Sequence, residues 1–467
     1  MDEFLRDIHT KIFREWLLLQ KDPDYKVELD PNDSSHILFK TDYGEGLVTF
    51  NAFDIIEFQV TNTFNNEIEF YLHFQMKTIK HALELFHEMI ESIKKLANQP
   101  ITKILLCCSG GLTTSFFASK FNEASKLLYL NIEANATGYN QLFNSGSDYD
   151  IILLAPQISY LHAKVQDILK EQLVIKIPPQ VFAKYDVGKM LAIMQEAKKQ
   201  QKQLLSEKEH KEVIIQSSIE CQSKILSLAI VRNSSRVHIA YRLYGPKNQV
   251  LIDKEIIKNT ISLSDILDVI DTIMVQYPDI QMIGISIPGI INKDTISSAN
   301  INGLGEINKN VLTCRYKQKI IFTNDVNAAA VGYYASQNQY KSLSVLFQPT
   351  GSFAGAGMII NGQLITGKHN LAGEVQYLPL ALNADKLKLN KTPEGMIDLV
   401  TKIILSIISV ISPEAVVLFC TLITETGDLK KELERYIPKE YIPDIIKVED
   451  LNDYCLVGSM IICAQSL

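Results

Sequence analysis

The chain has 467 residues, 46% hydrophobic and 21% charged, with a net charge of −7 and a mean hydropathy of +0.05. That is globular composition with room for roughly two to four domains; the acidic balance argues against a nucleic-acid partner, and no apolar run reaches the roughly 18–20 residues of a membrane helix. The seven cysteines are scattered and form no CxxC pair, and the histidines do not cluster with them, so neither a disulfide framework nor a metal or cofactor site is expected.

The opening stretch, MDEFLRDIHTKIF, is charged and amphipathic. It lacks the basic start and apolar centre of a secretory leader, so a cytoplasmic location is expected. Its spacing predicts a helix over 4–19. Short alternating runs at 36–40, 46–50, 55–60 and 68–74 read as antiparallel strands. Apolar residues at Ile79, Leu83, Phe86, Ile90, Ile93 and Ala97 then predict a helix over 79–96 with one buried stripe. Residues 1–98 are therefore expected to form a small α+β module, in which no chemistry is legible.

Asn98-Gln99-Pro100 breaks that helix. Apolar runs at 103–107, 150–155 and 173–177 alternate with helical stretches, which predicts a parallel α/β sheet over 99–193. Residues 194–212 are almost wholly polar and read as a helical linker. From 213 to 467 strands and helices alternate again, with strands expected at 213–216, 225–231, 282–287, 320–323, 343–347 and 415–419. This second α/β region is large enough for two lobes. The fold class is thus multi-domain α/β with an N-terminal α+β module.

The sharpest local signal is Lys103-Ile-Leu-Leu-Cys-Cys-Ser-Gly-Gly-Leu-Thr-Thr-Ser115. A strand ends at Cys108, a Gly-rich turn follows, and a helix starts near Thr113. Backbone N–H groups and the helix dipole make such a junction an anion site, and the same field favours a thiolate. Cys108 is the candidate nucleophile, with Ser109, Gly110, Gly111, Leu112, Thr113, Thr114 and Ser115 as the phosphate cradle. The bland alternative is a buried core cysteine before a helix.

The loop resembles the phosphate loop of low-molecular-weight protein tyrosine phosphatases but lacks their closing arginine; Thr114 and Ser115 stand there. The wider stretch KILLCCSGGLTTSFFASKFNEA, with DYDIILLAPQISYL and VIKIPPQVFAKYDVGKML after it, resembles lactose/cellobiose (chitobiose) type enzyme IIB of the sugar phosphotransferase system over about 100–192. The resemblance implies a four-stranded parallel α/β domain. In it, Cys108 takes a phosphoryl group from a phosphohistidine on an enzyme IIA and passes it toward a sugar held by a membrane enzyme IIC. Cys107 falls on an apolar strand position. The closing Tyr-Gly-x-x-Asp-Gly pattern is reduced to Tyr185-Asp186-Val187-Gly188.

Further on, IGISIPGIINKDTISSANINGLG (283–305), IIFTNDVNAAAVG (320–332) and PTGSFAGAGMIINGQLITGKHNLAGEV (349–375) resemble the ROK family of repressors, open reading frames and sugar kinases. That implies a two-lobed actin-like (ribonuclease H-like) fold over 213–467. It implies Asp325 as general base on a sugar hydroxyl, and Asn302, Asn324 and Glu374 as holders of a sugar or sugar phosphate. A homodimer through this domain is a further expectation.

The nucleotide side departs from the family. The region matched to its Asp-x-Gly-Gly-Thr loop, SSIECQSKIL (217–226), has neither glycine nor aspartate. Phe353 replaces a glycine of the Gly-Thr-Gly loop, and Phe419-Cys420-Thr421 replaces a Gly-Gly pair. Tyr377 replaces a zinc-ligand histidine, and no CxCGxxGC follows. The domain is therefore read as degenerate, binding sugar without phosphorylating it. Three functions remain open at this stage: a transport relay, a sensor of carbohydrate transport, and an active sugar kinase.

Overall fold

The computed structural model describes residues 3–63, 66–96, 102–110, 112–127, 130, 132–169, 172–197, 222–232, 237–298, 304–350, 352–382, 384–420, 422–423 and 425–466. Most of the polar segment 194–212 and the strand expected at 213–216 lie outside them. The chain falls into two compact units, Met1–Phe70 with Met76–Lys208, and Tyr71–Gln75 with Glu209–Leu467.

The first unit opens with α1 (Glu3–Leu18), followed by β1 (Lys26–Leu29), β2 (His36–Lys40), β3 (Gly44–Asn51), β4 (Ile55–Asn62), β5 (Ile68–Gln75) and α2 (Ile79–Leu96). β1 to β4 pair as an antiparallel meander, with Ile37 opposite Val48 and Val48 opposite Phe58. The period of two points these residues, with Phe39 and Val60, inward, and all are fully buried. Against them α2 lays Ala82, Leu85, Phe86, Met89, Ile93 and Leu96. Phe86 is the hub: its ring lies 5.3 Å from both Trp16 and Phe39 and 6.4 Å from Phe58. Strand β1 went unread in the sequence because four residues, KVEL, with only partial burial leave no pattern.

The same unit continues with β6 (Thr102–Cys108), α3 (Leu112–Leu127), β7 (Ile132–Gly138), α4 (Tyr139–Ser145), β8 (Ile151–Leu154), α5 (His162–Ile168), β9 (Leu173–Lys176), α6 (Pro179–Lys184) and α7, residues 187–197. The four strands are parallel in the order β7-β6-β8-β9. Because β7 lies on one side of β6 and β8 on the other, the strand order reverses at β6. Open α/β sheets bind ligands in the crevice at such a switch point, beyond the carboxyl ends of the strands. Cys108 is the last residue of β6.

The second unit holds β10 (Ile225–Arg232), β11 (Val237–Tyr244), β12 (Val250–Lys258), α8 (Leu263–Gln276), β13 (Met282–Ile287), β14 (Ile290–Ile291), β15 (Thr295–Ser298), β16 (Gly305–Asn308), α9 (Asn310–Thr313), β17 (Lys319–Asn324) and α10 (Asp325–Ala335). It continues with β18 (Leu343–Phe347), β19 (Gly355–Ile360), β20 (Gln363–Ile365), α11 (Lys386–Leu389), α12 (Pro393–Ile411), β21 (Ala415–Phe419), α13 (Thr426–Leu433), β22 (Asp444–Lys447) and α14 (Asn452–Ala464). Two sheets share one plan. In the first, β12-β11-β10 are antiparallel and β10-β13-β17 parallel; in the second, β20-β19-β18 are antiparallel and β18-β21-β22 parallel. This is the two-lobed actin-like plan.

Helices α10 and α14 cross at backbone distance. A Cβ on Gly332 would strike the Tyr454 carbonyl, and one on Gly458 would strike that of Ala328. Only glycine permits this approach. It brings the first turn of α10, and with it Asp325, against Cys455.

Candidate functional site

Two candidate sites stand out among the described residues, one in each unit. In the first, parallel pairing on both sides buries the run Ile104–Cys108. Successive side chains on a strand face opposite ways. Cys108 therefore packs with Leu106, Phe117 and Phe121, and Cys107 with Leu105, Ile152 and Leu154 on the other face.

Helix α3 starts four residues beyond Cys108 and folds its first turn back over the thiol. The Cys108 Sγ lies 3.3 Å from the Thr114 Oγ1, and the Thr113 hydroxyl donates to it at 3.6 Å. Burial alone would raise the thiol's pKa. The hydroxyls of Thr114 and Thr113 and the N–H groups of Gly110 and Thr114 outweigh it and bring it down to about 7. Cys107 goes the other way, pushed up to about 12 by burial and by the neighbouring Cys108. Of the two adjacent thiols, only Cys108 is shifted toward the thiolate.

Thr114 is fully buried, whereas Ser109, Gly110, Thr113 and Ser115 are exposed around the mouth. A Cβ on Gly110 would meet nothing within 4 Å, so the loop opens to solvent at that point. Gly111 lies outside the described residues, and Leu112 is placed as the first residue of α3. The sequence reading missed the support behind the loop. Tyr185, at φ 50°, packs its ring 4.9 Å from Phe116, 5.6 Å from Phe117 and 6.1 Å from Phe182. Asp150, at the head of the second motif, accepts from the Lys103 N–H at 2.8 Å, at the start of β6.

In the second unit, Asp325 is the first residue of α10 and only 5% exposed. Its carboxyl is pushed up to about 7, first by burial. The Val326 N–H opposes that shift, and the nearby Glu374 adds to it. Glu374 is itself raised by burial, against a hydrogen bond from Gln376. The Cys455 thiol donates to the Asp325 carbonyl at 3.3 Å.

Asn324 caps α10. Its Oδ1 accepts from the N–H groups of Val326 at 3.0 Å and Asn327 at 3.2 Å, and its Nδ2 donates to the Gly289 carbonyl at 3.0 Å. Gly289, at φ 122°, makes the turn after β13 that glycine favours. The Asn324 amide is thus engaged with backbone in this conformation. Asn370 adds a second tie, donating to the Ile291 carbonyl at 2.9 Å. Asp325, Asn324 and Glu374 come together; Asn302 lies outside the described residues.

On the expected nucleotide side, Ile225 and Leu226 of the segment 217–226 belong to β10, which pairs antiparallel with β11. Residues 217–221 and 233–236, Gly351 and Thr421 are outside the described residues. Phe353 is 39% exposed and Cys420 is buried. No group of three or more His, Cys, Asp or Glu side chains that could hold a metal occurs among the described residues, nor is any helix among them long and apolar enough to cross a membrane.

The family profile of the PTS system, lactose/cellobiose specific IIB subunit, matches residues 103–202. That of the ROK family matches residues 236–395. The N-acetyl-D-glucosamine kinase of Haemophilus influenzae is 28% identical over 137 residues, 27% of this chain and 42% of that protein. That of Erwinia tasmaniensis is 26% identical over 153 residues, 31% of this chain and 50% of that protein. The chain thus spans half or less of the length of these curated relatives. Among solved structures, a ROK family protein from Streptococcus pneumoniae in complex with sucrose aligns at 20% identity and a TM-score of 0.40, over 52% of this chain and 98% of that one. The chain therefore carries a lactose/cellobiose-type IIB domain of the phosphotransferase system. It also carries, further along, a ROK-family domain related to sugar kinases.

Proposed function

We propose that this protein is a phosphotransferase-system component in which Cys108 accepts a phosphoryl group from the phosphohistidine of an enzyme IIA and passes it toward a sugar. The observation that carries the reading is the Cys108 thiol, brought down to about 7 by hydroxyl and N–H donors at the end of β6. The thiolate attacks phosphorus in line with the histidine nitrogen. The S–P bond forms as the P–N bond breaks, and the imidazole takes up a proton. Donors that held the thiolate then hold phosphoryl oxygens. With no arginine in 108–115 to stabilise charge in a hydrolytic transition state, the loop suits a carrier rather than a phosphatase. Transfer onward breaks S–P and forms O–P on a sugar hydroxyl, held by an enzyme IIC in the transport reading.

The test is phosphorylation of the full chain with phosphoenolpyruvate, enzyme I, HPr and a panel of IIA proteins, with the site read by mass spectrometry. The label falls on Cys108 and is lost in Cys108→Ser. A label that survives this change sinks the assignment.

For the ROK-family domain, we propose sugar or sugar-phosphate binding without ATP-dependent phosphorylation. Asp325 and Glu374 supply a polar floor, both carboxyls raised by burial, while the segment 217–226 matched to the family's phosphate loop has neither its glycine nor its aspartate. A retained sugar floor without a phosphate loop is what a sensor of carbohydrate transport needs, and this favours the regulatory reading beside the relay. A thermal-shift comparison of sugars and sugar phosphates against Mg-ATP separates the readings. Sugar-dependent ADP release that Asp325→Asn abolishes would make the domain a working kinase.

A further inference from the structure

The stretch that carries Glu374 is fixed at its start by backbone. Gly373, at φ 88°, offers its carbonyl to the Ala356 N–H of β19 at 2.8 Å and to the Val375 N–H at 2.8 Å. Beyond Glu374 the chain makes a single 3-10 turn, Val375–Tyr377, after which the Leu378 carbonyl accepts from the Leu380 N–H at 2.9 Å. The Gln376 and Leu378 carbonyls both accept from one side chain: the Lys386 Nζ donates to Gln376 at 2.6 Å and to Leu378 at 2.9 Å.

Lys386 is placed for this by its own element. It opens α11, where the Asp385 carboxylate accepts from the Leu387 N–H at 2.9 Å. Four residues on, the buried Asn390 donates to the Ser352 carbonyl at 2.7 Å. Lys386, Gln376, Ser352 and Asn390 line a partly open cleft of about 10 Å³, room for one water at most.

Gln376 passes the constraint on. Its Nε2 donates to the Glu374 Oε2 at 2.8 Å. Glu374 in turn is the charged group that acts on Asp325. In the family resembled, a zinc-ligand histidine occupies the position of Tyr377. Here Tyr377 is 65% exposed, and the carbonyls on either side of it converge on a lysine. A charge-assisted hydrogen bond is stronger than a neutral one, and a half-buried ammonium with two carbonyl acceptors acts as a monovalent staple.

We infer that Lys386 is the positioning residue of Glu374: its ammonium fixes the turn, the turn fixes Gln376, and Gln376 sets the Glu374 carboxylate relative to Asp325. This rests on reading Asp325 and Glu374 as the floor of a sugar cleft. Lys386 touches no reacting atom.

The test uses the full chain with Lys386→Met, Lys386→Arg and Gln376→Met. Two quantities are read: binding of N-acetyl-D-glucosamine and glucose by calorimetry between about pH 5.5 and 8.5, and the Asp325 midpoint by ¹³C-carboxyl NMR, assigned with Asp325→Asn. The titratable groups facing Asp325 are Glu374 and the Cys455 thiol. In Lys386→Met, Glu374 is released and its repulsion on Asp325 weakens. The midpoint falls by about half a pH unit and sugar affinity drops about tenfold. Gln376→Met shifts both in the same direction, and Lys386→Arg, which keeps the charge, restores most of each. A purely structural lysine would lower the melting temperature and leave the Asp325 midpoint where it was; that result overturns the inference. If Lys386→Met fails to fold, Gln376→Met, which leaves the staple intact, carries the decision. If neither sugar binds the unaltered chain, the sugar-cleft reading fails, while the carboxyl titration still decides the role of Lys386.

Discussion

Cys107 and Cys108 are consecutive residues on one strand whose thiols belong to opposite cores and to opposite ends of the acidity scale. The Cys107 Sγ donates to the Cys108 carbonyl at 3.9 Å, while the Cys108 Sγ faces two hydroxyls. One residue of register separates a thiol held by hydroxyls from a packing group.

That contrast is testable by conservative change. Cys107→Ser places a hydroxyl in an apolar core and is expected to cost about 1–3 kcal/mol of unfolding free energy in urea titrations. Phosphoryl labelling of Cys108 is retained. Loss of the label with the fold intact would show that Cys107 takes part.

Thr114→Val keeps the shape of a fully buried side chain and removes the hydroxyl nearest the thiol. Burial then acts with less opposition, and the Cys108 pKa rises above about 7. The pH profile of iodoacetamide alkylation moves to higher pH, with a slower rate at neutral pH. Thr113→Ala, at the longer contact, moves it less. An unchanged profile in Thr114→Val would remove the hydroxyl from the account.

The cysteine loop is expected to hydrolyse p-nitrophenyl phosphate poorly, because no side chain in 108–115 carries the charge of an arginine. Turnover at the level of a tyrosine phosphatase would contradict the carrier reading.

Asp325 makes stability depend on pH. Its carboxyl sits at about 7 in the folded chain against an ordinary 3.8. Between these values the folded state holds a proton that the unfolded state has released. The stabilising effect is complete below about pH 4, is lost as pH rises through 7, and is flat beyond. Asp325→Asn removes that slope. It is expected to raise stability relative to the unaltered chain at pH 8, by on the order of 2–4 kcal/mol, with little effect at pH 4. Urea titrations at the two pH values read the difference.

Gly332→Ala and Gly458→Ala each drive a methyl group into a facing backbone carbonyl where α10 and α14 cross. Each is expected to destabilise by about 1–3 kcal/mol or more, since backbone cannot yield as a side chain can. Wild-type stability in both variants would mean the helices can part.

Much of the fold was legible in the sequence, for identifiable reasons. The strands at β6, β8, β13 and β18 are largely apolar runs buried on both faces, β9 is a short edge strand ending in an exposed Lys176, and α2 buries Phe86, Ile90 and Ile93 of its expected stripe while Ile79 and Leu83 stay half-buried. Strand β7, Ile-Glu-Ala-Asn-Ala-Thr-Gly, was passed over because its small and polar residues carry no strong pattern; it forms by pairing with β6. The segment 217–226 has no glycine or aspartate to anchor its match to a phosphate loop, and its last two residues, Ile225 and Leu226, are strand. Cys108, Asp325 and Glu374 could be named from local motifs. Lys386 could not, because its role exists only through carbonyls eight and ten residues earlier in the chain.

The crossing at Gly332 and Gly458 has a mechanical consequence. Beside the bare backbone, side chains interlock: the Tyr333 and Tyr454 rings lie 5.3 Å apart, and Ala329 and Ala330 share one core with Cys455 and Leu456. Each of the two crossing helices is also tied to a loop or strand at its start: α10 through Asn324 to the Gly289 turn, and α14 through Asp453, which accepts from Arg242 of β11 at 2.6 Å. Such a joint resists both parting and turning, so α10 and α14 act as one stiff strut with the buried Asp325 at its head.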